Sequence, residues 1–82
     1  MNQTLTLVTR TDCHLCDDTA TVLERLGLRF ATIDVDTDAA LVASFGDAVP
    51  VLLLDGEELC RAPIDERRLR TALRSAGLTV GA

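Results

Sequence analysis

Four segments of the chain have the hydrophobic pattern of β-strands. Apolar and polar positions alternate over residues 4–9, and a second strand is predicted over residues 28–35. Val51–Leu54 is a continuous apolar run, as expected of a strand covered on both faces. The dipeptide Asp55-Gly56 then predicts a tight hairpin turn into a last strand over residues 57–61.

A first helix is predicted between the first two strands. Apolar residues recur three and four positions apart over residues 13–26, and Gly27 is a natural stop. Thr11 or Asp12 is suited to cap the start by accepting backbone N–H groups, so Cys13 should lie in the first turn.

Two further helices complete the pattern. Asp36-Thr37-Asp38 predicts the cap of a short helix that Gly46 closes, and Asp65 predicts the cap of a last helix that ends at Gly77. The strand-helix-strand opening favours a parallel pair of strands, and the hairpin adds an antiparallel pair. Because there is no repeat or linker, we expect residues 1–82 to form a single α/β domain.

Charge and hydropathy limit the classes of partner. The chain carries eight Arg and no Lys against thirteen Asp and Glu residues, for a net charge of −5. Such a surface repels a phosphate backbone, so no nucleic-acid partner is expected. No apolar run approaches the roughly 20 residues that span a bilayer, and the first residues lack the pattern of a signal peptide. We therefore expect a cytoplasmic protein with no membrane partner.

The motif Cys13-His14-Leu15-Cys16 is the candidate chemistry of the chain. Two cysteines at this spacing can close a small disulfide and reopen it when a partner thiol or disulfide arrives. Unpaired N–H groups and the dipole of the first helical turn stabilise a thiolate on Cys13. We therefore predict that Cys13 is the nucleophile and that Cys16 resolves the mixed disulfide.

Five residues are candidates for substrate binding. A protonated His14 would add positive charge beside the thiolate, against several neighbouring aspartates, and Leu15 is the other residue inside the motif. Arg10 could stabilise the thiolate or hold a substrate carboxylate. A cis bond between Val49 and Pro50 would turn the backbone of Val49 outward to pair with an extended substrate.

These residues, in this order, resemble the glutaredoxin branch of the thioredoxin-like superfamily, and more narrowly its small bacterial C-x-x-C members. The resemblance rests on Arg10, Cys13-x-x-Cys16, Val49-Pro50, Asp55-Gly56 and the strand end Asp34-Val35-Asp36. It implies a four-stranded mixed sheet flanked by three helices in the order β-α-β-α-β-β-α, a cis Pro50, and dithiol-disulfide exchange led by Cys13.

The chain also departs from the glutaredoxin pattern. Glutaredoxins place Pro-Tyr between the cysteines, whereas this chain has His14-Leu15 and contains no Tyr or Trp. After the hairpin, glutaredoxins have Gly-Gly followed by a Cys-Asp-Asp-like turn that holds the γ-glutamyl end of glutathione, whereas this chain has Cys60-Arg61-Ala62-Pro63-Ile64. The predicted partners are therefore protein or low-molecular-weight disulfides, with glutathione or a flavoprotein reductase as electron donor and no metal or organic cofactor.

Other roles compete with this prediction. The chain could be a thioredoxin-fold binding module without turnover, or it could bind zinc through its cysteines, with His14 and Cys60 as the remaining soft ligands. Cys60 is more typical of a small apolar residue packed on a strand. Asp36 fits a cap of the second helix and Asp34 fits a strand end, so structural roles are favoured over proton relay for both.

Overall fold

The computed structural model describes residues 4–78, which form one mixed sheet with helices on both faces. The elements in chain order are β1 (Leu5–Thr9), α1 (His14–Arg25), β2 (Ala31–Asp34), α2 (Ala39–Phe45), β3 (Val51–Leu54), β4 (Glu57–Arg61) and α3 (Glu66–Ser75). The strand order is β2-β1-β3-β4; β1 pairs with β2 in parallel, and the other two pairs are antiparallel. The predicted four-stranded mixed sheet and the order β-α-β-α-β-β-α are confirmed.

The two central strands separate two apolar layers. On one face, Leu7 and Leu52 are fully buried against α1 and α3. On the other face, Val8 and Val51 pack with Phe45 of α2. Neighbouring strand residues therefore point to opposite layers, and β3 is covered on both faces as its apolar run predicts.

The second strand is shorter than predicted. It covers Ala31–Asp34 rather than residues 28–35, and its first three residues are exposed because β2 is an edge strand. Gly27 at φ +76° ends α1, with the Leu28 N–H donating to the Leu23 carbonyl. Residues 28–30 therefore form a connection, in which Leu28 and Phe30 pack on the core. Val35 leaves the strand and begins a 3-10 turn, Val35–Thr37.

The helix caps also differ from the prediction. Helix α2 is capped by Asp38 alone, whose carboxylate accepts from the Ala40 N–H at 2.8 Å, while Asp36 lies in the 3-10 turn. Asp65 caps α3 as predicted, accepting from the Arg68 N–H at 2.8 Å. None of the helices within residues 4–78 is both long and apolar enough to cross a membrane.

The hairpin between β3 and β4 places two residues in the left-handed region. Asp55 has φ +52° and Gly56 has φ +87°, the combination that a tight antiparallel turn requires. Asp55 also joins the turn to the start of β1, since its carboxylate accepts from the Thr4 N–H and its own N–H donates to the Thr4 carbonyl, both at 2.8 Å. The hairpin therefore lies at one end of the sheet. The cysteine pair lies at the opposite end, where the loop after β1 leads into α1.

Candidate functional site

The loop after β1 delivers the chain to the start of α1. Asp12 has φ +60°, a left-handed conformation that Asp tolerates better than most side chains because its short polar group can bond locally. This residue reverses the chain between the carboxyl end of β1 and the first turn of the helix. Cys13 is thereby placed at the end of the sheet where β1 and β2 finish and β3 begins.

Cys13 is itself the N-cap of α1. Its backbone is extended, and its sulfur accepts a hydrogen bond from the Cys16 N–H at 3.1 Å. The prediction of a cap at Thr11 or Asp12 is therefore wrong, because the Thr11 hydroxyl instead donates to the Asp34 carboxylate at 3.1 Å. The sulfur occupies the position where an N-cap oxygen normally accepts from the first turn.

The two sulfurs of Cys13 and Cys16 lie at disulfide-bonding distance, with Cα atoms 5.2 Å apart. Their exposure differs: Cys13 is half-buried, whereas only 2% of Cys16 is exposed. A visiting disulfide can therefore reach one sulfur of the pair more readily than the other. The division between an attacking Cys13 and a resolving Cys16 stays a prediction, and it requires this difference in exposure.

The two residues inside the motif are open to solvent. The His14 side chain is 87% exposed, and its Nε2 atom lies 3.6 Å from a carboxylate oxygen of Asp18. Leu15 is 57% exposed, which makes it an exposed large apolar side chain directly beside the cysteines. Both residues are available for contact with a molecule that approaches Cys13.

Arg10 is paired with a carboxylate of the 3-10 turn that follows β2. Its Nε and Nη2 atoms donate to the two carboxylate oxygens of Asp36, each at 3.1 Å. This hydrogen bonding raises the pKa of Arg10, and the charges of Asp36, Asp47 and Asp34 act in the same direction. The guanidinium therefore starts from a satisfied ion pair rather than as a free cation.

The Val49-Pro50 bond is cis, as the resemblance implies, and Pro50 is buried. The antiparallel register pairs Val8 with Val51, so Val49 and Pro50 precede β3 at the end of the sheet where Arg10 follows β1. The Pro50 carbonyl accepts from the Ala62 N–H at 2.9 Å, while Val49 makes no backbone–backbone hydrogen bond within residues 4–78. A second cis bond, Ala62-Pro63, lies in the loop after β4 and had no distinguishing signal in the sequence.

The two aspartates after β2 have different contacts. Asp34 closes the strand, and its carboxylate caps the 3-10 turn by accepting from the Asp36 N–H at 2.9 Å. Asp36 pairs with Arg10 instead of capping α2. Sequence reasoning missed this pair because its members are 26 positions apart and no local pattern links them.

Cys60 lies away from the pair, on β4. It is half-buried against the core, and that burial raises the pKa of its thiol. A cavity of about 540 Å³ lies beside it, between β4 and α3, with Arg67, Arg68 and Thr71 among its lining residues. Within residues 4–78, no group of three or more His, Cys, Asp and Glu side chains is arranged to hold a metal ion, so the zinc interpretation has no described ligand set.

Comparison with known proteins places this geometry among related chains. Residues 4–74 match the family model described as a glutaredoxin-like domain. An uncharacterized protein of Mycobacterium tuberculosis is 42% identical over 73 residues, which cover 78% of this chain and 75% of that protein.

Solved structures agree with the family match. A structural genomics target protein from X. campestris superposes with a TM-score of 0.77 at 41% identity, covering 87% of this chain and 96% of that one. The buckwheat glutaredoxin-glutathione complex superposes with a TM-score of 0.61 at 21% identity, over 93% of this chain and 73% of that one, which is a likeness of fold.

Proposed function

The chain belongs to the glutaredoxin-like domain family, and we propose that it is a thiol-disulfide oxidoreductase that uses Cys13 and Cys16 as a redox couple. One observation carries the proposal: the half-buried sulfur of Cys13 caps a helix and lies within bonding distance of a buried second sulfur. A helix N-terminus stabilises negative charge, so the position favours the thiolate that such exchange requires.

Reduction of a disulfide proceeds in two displacements. The Cys13 thiolate attacks one sulfur of the substrate, a Cys13-substrate disulfide forms, and the other substrate sulfur leaves as a thiolate that takes a proton from water. Cys16 then loses its proton to solvent and attacks the Cys13 sulfur. The second substrate thiol is released, so the substrate gains two electrons and the Cys13–Cys16 pair loses two.

The Cys16 N–H supports the first step directly. It donates to the Cys13 sulfur at 3.1 Å, and a hydrogen bond to the charged form of a titrating group favours that form. The same contact holds the sulfur close to Cys16, so that the resolving displacement needs little movement of the helix. Both effects come from the backbone of the first helical turn.

The exposed residues around Cys13 provide the substrate contact. Leu15 and His14 stand out from the helix start, and Val49 retains a backbone that makes no backbone–backbone hydrogen bond within residues 4–78. We assign Val49 to pairing with an extended substrate segment, beside Pro50. Arg10 lies at the same end of the sheet, and we assign its pair with Asp36 to orienting the loop that leads to Cys13.

We propose that the protein needs an electron donor but no bound cofactor. The chemistry needs no metal or organic cofactor, because the cysteine pair itself carries the electrons. Reducing equivalents come from glutathione or from a flavoprotein reductase, and the substrates are protein or low-molecular-weight disulfides. The proposed location is the cytoplasm, where thiols are kept reduced between cycles.

Trapping the intermediate tests the proposal. Reduced Cys16→Ser protein is mixed with a disulfide substrate and its intact mass is measured, with Cys60→Ser present in every variant to remove the third thiol. We expect a stable substrate adduct on Cys13 in Cys16→Ser, and none in Cys13→Ser. Equal adduct formation in the two variants, or adducts without any turnover by the Cys60→Ser protein, would contradict the proposed enzyme.

A further inference from the structure

Several carboxylates belong to the first turns of α1 that hold the Cys13–Cys16 pair, or act on the loop that leads to it. Asp12 precedes Cys13 directly, Asp17 lies in the first turn of α1, and Asp18 follows it. Others stand at the ends of the neighbouring strands and loops. Asp34 accepts from Thr11, Asp36 pairs with Arg10, and the charge of Asp47 also acts on Arg10. The six aspartates of these segments are Asp12, Asp17, Asp18, Asp34, Asp36 and Asp47, and all except the half-buried Asp34 are exposed.

Few positive charges balance this group. Arg10 is bound by Asp36, and the charges of Asp34 and Asp47 also act on it. His14 faces Asp18 and adds a positive charge only when it is protonated. Arg61 is the last residue of β4, at the same end of the sheet as the cysteine pair, and it is paired with Glu58.

Three further arginines have partners of their own. Arg25 at the end of α1 and Arg70 on α3 share Glu66, and Arg68 donates to the Pro63 carbonyl. From residue 56 to the end of the chain the sequence has five Arg against four acidic residues, whereas the part before it has three Arg against nine. The earlier part carries the cysteine pair, and six of its nine acidic residues are the aspartates named above.

Such a field selects among substrates. Clefts lined by one sign of charge raise the encounter rate of oppositely charged partners by about 10-fold to 1,000-fold and slow like-charged ones. Building on the proposed function, we propose that the natural substrate is a disulfide in a polypeptide with basic residues beside its cysteine. Leu15, 57% exposed, supplies an apolar contact within this acidic surround. The same field slows anionic glutathione, as oxidised substrate or as electron donor, so it favours protein disulfides as substrates and the flavoprotein reductase as donor.

Two matched peptides test the inference. Each has one cysteine, blocked end groups and a 2-thiopyridyl disulfide, and they differ only in carrying Arg or Glu on both sides of the cysteine. The rate of thiopyridone release by the reduced protein is measured by absorbance and divided by the rate with a small neutral thiol, which removes intrinsic reactivity. At low ionic strength, about 10 mM, we expect the Arg peptide to react at least about tenfold faster, with the ratio shrinking near 1 M salt.

A pair of double variants separates local charge from net charge. Asp12→Asn with Asp17→Asn removes two charges beside Cys13 and should reduce the Arg-to-Glu preference several-fold. Glu24→Gln with Glu57→Gln removes two exposed charges from the end of α1 and from the hairpin end of β4, and should preserve the preference.

The outcomes distinguish this inference from the function on which it rests. Equal normalised rates for the two peptides, a faster Glu peptide, or the same loss of preference in both double variants would overturn the inference while leaving the oxidoreductase in place. Reduction of neither peptide by the wild-type protein would overturn both.

Discussion

The helix cap formed by Cys13 predicts a measurable difference between two substitutions at one position. Cys13→Ser and Cys13→Ala are each made in a Cys16→Ala background, so that neither protein can form the disulfide and the common change cancels. Serine supplies an oxygen that accepts from the backbone N–H of residue 16, whereas alanine leaves that donor without its partner.

The magnitude follows from the environment of this donor. Residue 16 is only 2% exposed, so water is a poor substitute for the lost acceptor. Replacing a good N-cap residue by alanine costs about 1 kcal/mol, within a range of about 0.5–2 kcal/mol. For a domain of this size, about 1 kcal/mol corresponds to a fall in Tm of roughly 4–8 °C.

Urea unfolding followed by circular dichroism, with thermal melts in parallel, measures the difference. Ser44→Ala is the matched control, because Ser44 is exposed in α2 and the same chemical change there should leave stability the same or slightly higher. If Cys13→Ala is as stable as Cys13→Ser within about 0.3 kcal/mol, the side chain at position 13 does not cap α1 and the thiolate argument loses its structural basis.

Three further predictions address the rest of the fold. Leu52→Ala should lower the free energy of unfolding by about 2–5 kcal/mol in urea titration, because Leu52 is fully buried, whereas Val42→Ala on an exposed surface should change it far less. Gly56→Ala should cost about 1 kcal/mol, since Gly56 has φ +87°; an unchanged midpoint would mean that the turn is not of this type. Burial raises the pKa of the Cys60 thiol, so its rate of alkylation in the reduced native protein should still be rising with pH after the rate in the urea-unfolded protein has levelled off. A native rate that levels off at the same pH or lower would contradict the burial of Cys60.

Local sequence signals predicted the fold correctly at positions whose backbone conformation suits only a few residue types. Gly27 ends α1 at positive φ, and Asp55-Gly56 forms the hairpin, because few other residues adopt these backbone angles. The apolar run of β3 predicted its burial on both faces. The order of elements followed from these signals together with the helical periodicity.

The errors occurred where tertiary contacts overrode local patterns. Leu28 and Phe30 are apolar residues in a strand-like pattern, yet they lie in the connection from α1 to β2 and pack on the core without joining the ladder. Cys13 replaced Thr11 as the interacting group at the helix start because Thr11 has a partner, Asp34, on another strand. The Arg10–Asp36 pair likewise depends on two strand ends meeting in space.

If Cys13 and Cys16 act as a reversible redox couple, their redox equilibrium can be measured directly. Cys60→Ser protein is equilibrated in buffers of graded thiol-to-disulfide ratio, alkylated, and analysed by intact mass to measure the fraction oxidised. We expect a reversible two-electron transition, with a slope of about 30 mV per tenfold change in the thiol-disulfide equilibrium constant and a midpoint between roughly −270 and −120 mV. A pair that stays reduced, or stays oxidised, across that whole range would contradict it.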